Sequence, residues 1–405
     1  MGLEDLKSNL SLISSHNFGA DFFLGMSSSI QYNINKTIDS TLFFNNINPP
    51  SEDYTSFYKA ELTRYKEDIR LIKESEICNF RFSLSWSRIL PLGIGEINCE
   101  AIVFYNAILD ICVENEIIPF VTLYDSHLPN ALKNKGGWSN REMLTWFENY
   151  VHICVNAFKE KVNHWIVFNE PSVFTGASDF LKIYPSGKNS VNTFLSSLHH
   201  TLLCQSISFR KIKQIKKEVQ VGTFLSCNYV IPISYNDKDL KAVERIDALL
   251  NRVFIEPALG FGYPIKTLPF LKNISKYTLP GDDDLIKVDF DFIGLQNCTR
   301  EVVSHNLFVP YLNAKIIQYD SLRVKKNYFS PQIYHELTYL IVKKYSKYEG
   351  VKKIFLNEII SSSVDQNILN PEIDIKREYN LLSFLQQIAL ANQTGGKVNG
   401  YFVTT

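Results

Sequence analysis

Short apolar runs alternate along the chain with longer segments in which apolar residues recur at helical spacing. Each short run is bounded by polar or turn-forming residues, which is typical of strands buried in a parallel sheet. Regular alternation of strands and helices indicates an α/β fold, and eight strands can close into a barrel. The sequence therefore predicts a single (β/α)8 TIM barrel. The predicted strands are 22–28, 77–85, 117–125, 164–171, 219–227, 291–298, 353–358 and 400–405, and the predicted helices are roughly 53–76, 100–116, 139–162, 191–217, 331–348 and 375–393.

The clearest helical pattern lies at 139–162. Large apolar side chains there recur every three or four residues, so they fall on one stripe of a helix. We expect that stripe to pack against the sheet. It consists of Met143, Trp146, Phe147, Tyr150, Cys154 and Phe158.

No linker rich in proline or serine interrupts the pattern, so we predict one barrel domain at 18–405, preceded by an N-terminal extension at 1–17. The stretch 228–290 is longer than one helix requires and is expected to supply loops that wall a cleft. The last predicted strand, 400–405, is followed by no helix, so the barrel is expected to lack its last helix. The apolar flank left there would be covered by the extension, by a second copy of the chain in a homo-oligomer, or by another partner.

Charge and composition exclude several classes of protein. The chain has 42 Lys and Arg against 42 Asp and Glu and no long basic block, which argues against nucleic-acid binding and a polybasic membrane anchor. The N-terminal residues MGLEDLKSNL are not a signal peptide, and the longest apolar run, IIPFVTLY, is too short to span a bilayer. The seven cysteines are scattered singly, as reduced thiols are. We therefore expect a cytoplasmic protein with no metal and no cofactor.

The candidate chemistry lies where the predicted strands end, because active sites of such barrels form at the carboxyl ends of the strands. Two carboxylates, Glu170 and Glu358, end the fourth and seventh strands. Paired carboxylates facing one cleft suit cleavage of a glycosidic bond, although each Glu could instead pair with a surface base. Pro171 is expected to hold Glu170 extended. The polar residues at strand ends are Asp125, Asn169, Glu170, Cys227, Gln296, Asn297 and Glu358.

Arg81 is predicted to lie inside the barrel. In the second strand, Phe80 and Phe82 take one face by alternation, and Arg81 and Ser83 take the other. If the apolar face packs against the helices, Arg81 points inward, where a cation requires a carboxylate partner. An inward Arg could hold a strand-end Glu ionised, as a nucleophile requires, or it could only clamp the barrel strand.

Longer blocks of the sequence carry a family resemblance. The blocks RFSLSWSRILPLGIGEIN, FYNAILDICVENEIIPFVTLYDSHLPNALKNKGGWSN and WIVFNEP are followed by DFIGLQNCTREV, KIFLNE, DIKREYN and VNGYF. In this order they resemble glycoside hydrolase family 1, the family of β-glucosidases, β-galactosidases and 6-phospho-β-glycosidases. The resemblance extends over about residues 18–403. A lone Asn-Glu-Pro tripeptide would be weak, but ordered blocks over that length are specific.

The resemblance implies a retaining β-glycosidase that acts on a carbohydrate or glycoside. Glu170 would be the acid/base and Glu358 the nucleophile. Asn169 would hydrogen-bond the sugar 2-hydroxyl, and Arg81 would support Glu358. The residues expected to bind substrate are Gln31, Asp125, His127 and Gln296.

The chain departs from the family pattern at several of these positions. The family usually reads Y-H-W-D-L-P where this chain has YDSHLP, so Asp125 replaces the sugar-binding His and Ser126 replaces the Trp. His127 takes the Asp position, either to bind substrate or only to brace a loop. Cys298 stands where the family has a Tyr that hydrogen-bonds the nucleophile, and Thr404 stands at the position of a sugar-platform Trp.

Two hypotheses follow from the retained and the altered residues. The first is a retaining β-glycosidase with an unusual sugar specificity, or a glycosyl-transferring relative that uses the same covalent intermediate. The second is a catalytically impaired, family 1-like pseudoenzyme that acts as a binding or regulatory protein. Retention of Glu170, Glu358 and Arg81 favours the enzyme, whereas the altered sugar-binding positions favour the pseudoenzyme.

Overall fold

Eight strands pair in parallel and close into a barrel. A ninth, short strand pairs antiparallel to one of them outside the ring. The computed structural model describes residues 18–28, 51–177, 191–317, 335–358 and 371–404, without the side chains of 51–57, 297–298, 358 and 371–377. The strands are β1 (Phe23–Ser28), β2 (Asn79–Ser83), β3 (Ile118–Tyr124), β4 (His164–Asn169), β5 (Gln220–Pro232), β6 (Phe292–His305), β7 (Ala314–Ile316), β8 (Ile354–Glu358) and β9 (Val398–Thr404). Around the ring they follow the order β1-β2-β3-β4-β5-β6-β8-β9, and β9 pairs with β1.

Helices follow the strands in the alternation that the sequence predicts. The apolar stripe of the helix at 143–158 is buried, which confirms that prediction. No helix in the described part of the chain is both long and apolar enough to span a bilayer. The helices are α1 (Ser51–Glu74), α2 (Trp86–Ile89), α3 (Cys99–Glu114), α4 (Asn130–Asn134), α5 (Met143–Phe158), α6 (Pro171–Phe174), α7 (Val191–Ile215), α8 (Asp237–Asp247), α9 (Val253–Ile255), α10 (Asp282–Leu285), α11 (His335–Ser346) and α12 (Pro371–Gln393), with 3₁₀ turns at Gly137–Ser139 and Pro269–Lys276 and a π turn at Ala248–Arg252.

The strands β5 and β6 run further than the sequence predicts. Their predicted ends were 227 and 298, but they continue to Pro232 and His305. Beyond the barrel they pair with each other, from Asn228 opposite Thr299 to Pro232 opposite Val303. The helix α8 and β7 pack beside this extension, so the stretch 228–290 holds helical structure as well as loops.

The flank beside β1 and β9 is partly covered by the chain itself. Tyr401 of β9 is 2% exposed and stacks on Phe384 of α12, with ring centroids 6.4 Å apart. Met26 and Val403 are partly buried against the outer core, which is the apolar layer between the strands and the surrounding helices. Leu24, in contrast, is 38% exposed. That a second copy or another partner covers this flank stays a prediction.

A layer of large apolar side chains fills the barrel beneath its carboxyl-end rim. The layer has no room for further side chains, because four of its rings lie over glycines that are their direct partners on the neighbouring strand. Glycine leaves the space that a ring occupies across a strand pair. The layer consists of Phe23, Phe120, Ile166, Phe224, Phe292, Phe355 and Phe402, and the glycines are Gly25, Gly222, Gly294 and Gly400.

Replacing Gly294 by alanine tests this packing. A Cβ there would lie 2.2 Å from the ring of Phe224, so the ring must move inside a filled barrel. We expect the free energy of unfolding to fall by about 1–3 kcal/mol, as is usual for overpacking a core. Urea denaturation measures the loss. The Phe224→Leu change should recover part of it in the double variant, and strictly additive losses would contradict the contact.

Candidate active site

The tip of β4 is shaped by a bulge. The register with β5 shifts between Ile166 and Asn169, so Val167 and Phe168 both pack in the outer core. Ile166 lies in the barrel interior, and Asn169 is turned inward again one residue later than simple alternation would place the next inward side chain. Bulges of this kind commonly re-aim a side chain beside an active site. The bulge is what brings the Asn169 amide to the barrel centre.

Glu170 has left-handed backbone angles, with φ 49° and ψ 61°. The prediction that Pro171 holds it extended is therefore wrong. The residue is fixed from both sides: its N–H donates to the Phe224 carbonyl at 2.9 Å, and its carbonyl accepts from Val173 N–H at 2.9 Å as α6 begins. These bonds hold a conformation that costs on the order of 1–3 kcal/mol for a residue other than glycine. The sharp turn directs the carboxylate to groups on β5 and β6.

Arg81 lies inside the barrel, as the alternation along β2 predicts. It is 4% exposed, whereas Phe80 and Phe82 pack outward in the helix-facing core. Its guanidinium carbon lies 3.9 Å from the ring centroid of Phe224, which forms an apolar floor beneath the cation. Burial lowers the pKa of Arg81 to about 10, against the opposing charges of Asp125 and Glu170. The side chain is therefore still a cation at neutral pH.

The predicted direct carboxylate partner of Arg81 is not found among the described side chains. Instead, Nη1 donates to Gln296 Oε1 at 3.0 Å and Nη2 donates to Asn169 Oδ1 at 2.5 Å. The Nε group is 3.5 Å from Thr122 Oγ1. Because the side chain of Glu358 lies outside the described part, a direct contact between Arg81 and that carboxylate stays a prediction.

Each of these two amides in turn donates a hydrogen bond to a carboxylate. Gln296 Nε2 donates to Glu170 Oε2 at 3.0 Å, and Asn169 Nδ2 donates to Asp125 Oδ1 at 2.9 Å. Arg81 can only donate hydrogen bonds, so each amide must turn its oxygen to Arg81 and its NH2 group to the carboxylate. One buried cation thus orients two carboxylates through two neutral groups.

A second donor reaches the other oxygen of Glu170. Ser226 Oγ donates to Glu170 Oε1 at 2.7 Å, and Ser172 Oγ donates to Ser226 Oγ at 3.0 Å. The sequence analysis named Cys227 as the polar end of this strand, but Cys227 is fully buried in the outer core. Period-two alternation from Phe224, which faces inward, would have identified Ser226.

Asp125 joins the same network from β3. Besides the bond from Asn169, its Oδ2 lies 3.4 Å from the hydroxyl of Ser83. His127 lies at the exposed rim, where its Nδ1 is 3.1 Å from Ser126 Oγ. The structure thus brings Arg81, Asn169, Glu170, Gln296 and Asp125 into one cluster.

The end of β8 is tied to this cluster through Asn357. Its Nδ2 lies 3.2 Å from Gln296 Oε1 and 3.2 Å from Thr404 Oγ1, so it bridges β6 and β9. Glu358 is the last residue of β8, on the same rim of the barrel, and its side chain lies outside the described part. Gln31 also lies outside the described residues. The roles of Glu358 and Gln31 therefore stay predictions.

Comparison with known proteins identifies the family. The model of glycosyl hydrolase family 1 matches residues 51–405. The chain belongs to glycosyl hydrolase family 1. That membership makes it a glycoside hydrolase, and it confirms the resemblance seen in the sequence.

Relatives within family 1 match most of the chain. A 1,4-β-D-glucan glucohydrolase of Thermotoga neapolitana is 28% identical over 342 residues, which are 84% of this chain and 80% of the relative. β-Glucosidase A of Acetivibrio thermocellus is 30% identical over 345 residues, 84% of this chain and 76% of the relative. A 6-phospho-β-glucosidase of Bacillus subtilis is 29% identical over 377 residues, 90% of this chain and 80% of the relative.

Solved structures of family 1 confirm the barrel. The family 1 β-glucosidase of Thermotoga maritima superposes with a TM-score of 0.77 at 25% identity, and the match covers 95% of this chain and 88% of that one. The family 1 chain described here therefore has the barrel that its sequence predicts.

Proposed function

We propose that this chain is a retaining β-glycosidase in which Glu170 is the acid/base and Glu358 the nucleophile. The observation that carries the proposal is the position of Glu170. Its carboxylate stands at the carboxyl-end rim of the barrel, and hydrogen bonds from two other strands hold both of its oxygens. Glu358 ends β8 on the same rim. Two carboxylates at one barrel mouth are the arrangement that glycoside cleavage uses.

The reaction proceeds in two steps. In the first, the Glu358 carboxylate attacks the anomeric carbon, the bond to the aglycone oxygen breaks, and Glu170 gives that oxygen its proton. In the second, water attacks the anomeric carbon of the glycosyl-enzyme, the bond to Glu358 breaks, and Glu170 takes the proton of the water. Glu170 must therefore be neutral for the first step and ionised for the second.

The neighbouring groups have distinct parts in this proposal. Arg81 fixes the amides of Gln296 and Asn169, and it adds positive potential where the carboxylates must be ionised. Asn169 uses one N–H on Asp125, and its second N–H is assigned to the sugar 2-hydroxyl. His127, at the rim, is assigned to the outer part of the substrate.

Asp125 narrows the class of sugar. An ionised carboxylate only accepts hydrogen bonds, so Asp125 selects a hydroxyl or an amino group, where the histidine of the family pattern could also donate. The relatives named above act on β-glucosides and on a 6-phospho-β-glucoside, which supports a β-linked substrate here. A sugar with an amino group beside the reacting centre is the variant that Asp125 favours most, because it would form an ion pair.

One observation favours the second candidate, a catalytically impaired binding protein. Asp125 accepts a hydrogen bond from the same Asn169 amide that the proposal assigns to the sugar. If Asp125 holds this amide in place of substrate, sugar binding at the reacting centre is weakened, and so is the binding energy that supports the transition state.

Trapping the glycosyl-enzyme tests the proposal. Incubation with 2-deoxy-2-fluoro glycosides bearing activated leaving groups, including a 2-fluoro sugar with an amino substituent, should add one glycosyl mass to the intact protein. The adduct should be absent from Glu358→Gln and present in Glu349→Gln, which changes an exposed glutamate that precedes the opposite, amino-terminal end of the same strand. A folded protein that forms no adduct yet binds glycosides would instead support the binding protein.

A further inference from the structure

Both carboxylate oxygens of Glu170 accept hydrogen bonds, and the two donors lie on different strands. Ser226 of β5 lies 2.7 Å from Oε1, and Gln296 of β6 lies 3.0 Å from Oε2. Hydrogen bonds donated to a carboxylate favour its charged form, and they are stronger to the ion than to the neutral acid. Charged residues of the same rim are Arg81, whose charge interacts with Glu170, Asp125, which accepts from Asn169, and Glu358 at the end of β8. The surroundings of Glu170 therefore act on its protonation as well as its position.

The Gln296 amide, which donates to Oε2 of Glu170, is fixed in its orientation. Gln296 is 4% exposed, and its Oε1 accepts from Arg81 Nη1 at 3.0 Å and lies 3.2 Å from Asn357 Nδ2. Both of those neighbours are N–H donors, so the amide cannot flip without placing donor against donor. Its NH2 group therefore faces Glu170 and donates to Oε2, and a hydrogen bond donated there favours the carboxylate over the acid.

The donor on Oε1 is a hydroxyl, and a hydroxyl can reverse. Ser226 donates to Glu170 while it accepts from Ser172, which is 5% exposed and fixed on α6. When Glu170 is neutral, the oxygen of Ser226 can instead accept a hydrogen bond. The acid form of Glu170 thus has a neutral acceptor at Oε1, and that hydrogen bond is weaker than the one that Ser226 donates to the ion.

We propose that Ser226 is a positioning residue that favours the ionised, general-base form of Glu170, and that Ser172 and Gln296 support it in this role. This inference rests on the proposed function of Glu170. The ionised form is the one that activates water for the second step, so the serine pair promotes release of the sugar from the glycosyl-enzyme. The same preference narrows the pH range in which Glu170 can act as an acid.

The Ser226→Ala variant separates this role from a merely structural one. The first step requires neutral Glu170, so kcat/KM falls as pH rises and Glu170 ionises. Without the hydroxyl the neutral form persists to higher pH, so we expect the basic limb of the kcat/KM profile to move up by about one pH unit. For substrates with good leaving groups, where the second step limits turnover, we expect kcat to fall about tenfold.

Matched variants make the result specific. Ser226→Thr keeps the hydroxyl and should restore the wild-type profile. Ser172→Ala removes only the second link of the chain and should shift the limb in the same direction but less. Ser226→Cys replaces the hydroxyl with a thiol, a weak donor, so we expect an intermediate shift. This variant tests the inference if the alanine variant does not fold. An unchanged limb in folded Ser226→Ala and Ser226→Cys would overturn the inference.

A direct titration distinguishes failure of the inference from failure of the proposed function. Glutamate labelled with ¹³C at the side-chain carboxyl reports protonation without turnover, and the signal missing from Glu170→Gln identifies Glu170. A higher titration midpoint in Ser226→Ala, in a protein that never forms a glycosyl adduct, would support the effect of Ser226 on the protonation of Glu170 and reject the glycosidase. Equal midpoints in a protein that does form the adduct would reject the role of Ser226 alone.

Discussion

Replacing Glu170 by glutamine is expected to lower kcat/KM for glycosides with poor leaving groups by about 10²–10⁴-fold, the usual contribution of a positioned general acid. The amide cannot protonate the departing oxygen, although it matches the carboxylate in size and can remain between Ser226 and Gln296. For leaving groups that depart without a proton, the first step should be little affected. Kinetics across aryl glycosides of graded leaving-group acidity measure this dependence.

The second step gives the same variant an independent signature. Water must now attack without a base, so the glycosyl-enzyme should accumulate and be visible as an intact-protein adduct. Azide needs no deprotonation, so it should attack the anomeric carbon, release Glu358 and give a β-glycosyl azide. Wild-type protein should give no such product. A leaving-group dependence identical to wild type, with no azide product, would remove Glu170 from the reaction.

The barrel could be predicted from the sequence because local periodicity decides it. Buried strands stand out as short apolar runs, and amphipathic helices as apolar residues at helical spacing. Eight strand–helix repeats are compatible with few topologies. The extensions of β5 and β6 could not be predicted in the same way. They are held by pairing of Asn228 with Thr299 and of the residues that follow, which are distant in the sequence and mixed in polarity.

The site was predictable where alternation is regular and unpredictable where it breaks. Arg81 faces inward on a regular strand, as expected. The register of β4 shifts before Asn169, and that of β5 shifts between Ser226 and Asn228, and a shift inverts the face of every later side chain. Cys227 is the last polar residue of its run but packs outward, whereas Ser226 lies on the inward face.

The hydrogen-bond partners of Arg81 could not be predicted from the alternation of its own strand either. Its guanidinium bonds to groups from β3, β4 and β6, and the two amides it orients were assigned by the sequence only to substrate. Whether Arg81 serves the chemistry or only clamps the barrel is decided by how its removal divides between activity and stability.

Replacing Arg81 by methionine is expected to lower kcat/KM by about 10²-fold or more while changing the free energy of unfolding by less than about 2 kcal/mol. The activity falls because the Gln296 and Asn169 amides lose the cation that orients them, and small misplacements at a reacting centre are costly. The stability changes little because removing a buried charge relieves its desolvation, which offsets the hydrogen bonds lost by the Asn169 and Gln296 oxygens, and Gln296 Oε1 keeps Asn357 Nδ2 as a donor.

Arg88 offers a matched control in the same part of the chain. It is a mostly buried arginine whose Nη1 pairs with Glu61 Oε2 at 2.9 Å, between α2 and α1 and away from the cluster around Glu170. Arg88→Met leaves a buried carboxylate without its cation, so we expect a loss of about 3–5 kcal/mol in stability and unchanged kcat/KM per folded molecule. Denaturation curves and kinetics on both variants give the comparison. Should Arg81→Met instead behave like Arg88→Met, with lost stability and retained activity, Arg81 would be a clamp on its strand, because the two amides would then keep Glu170 and Asp125 in place without it.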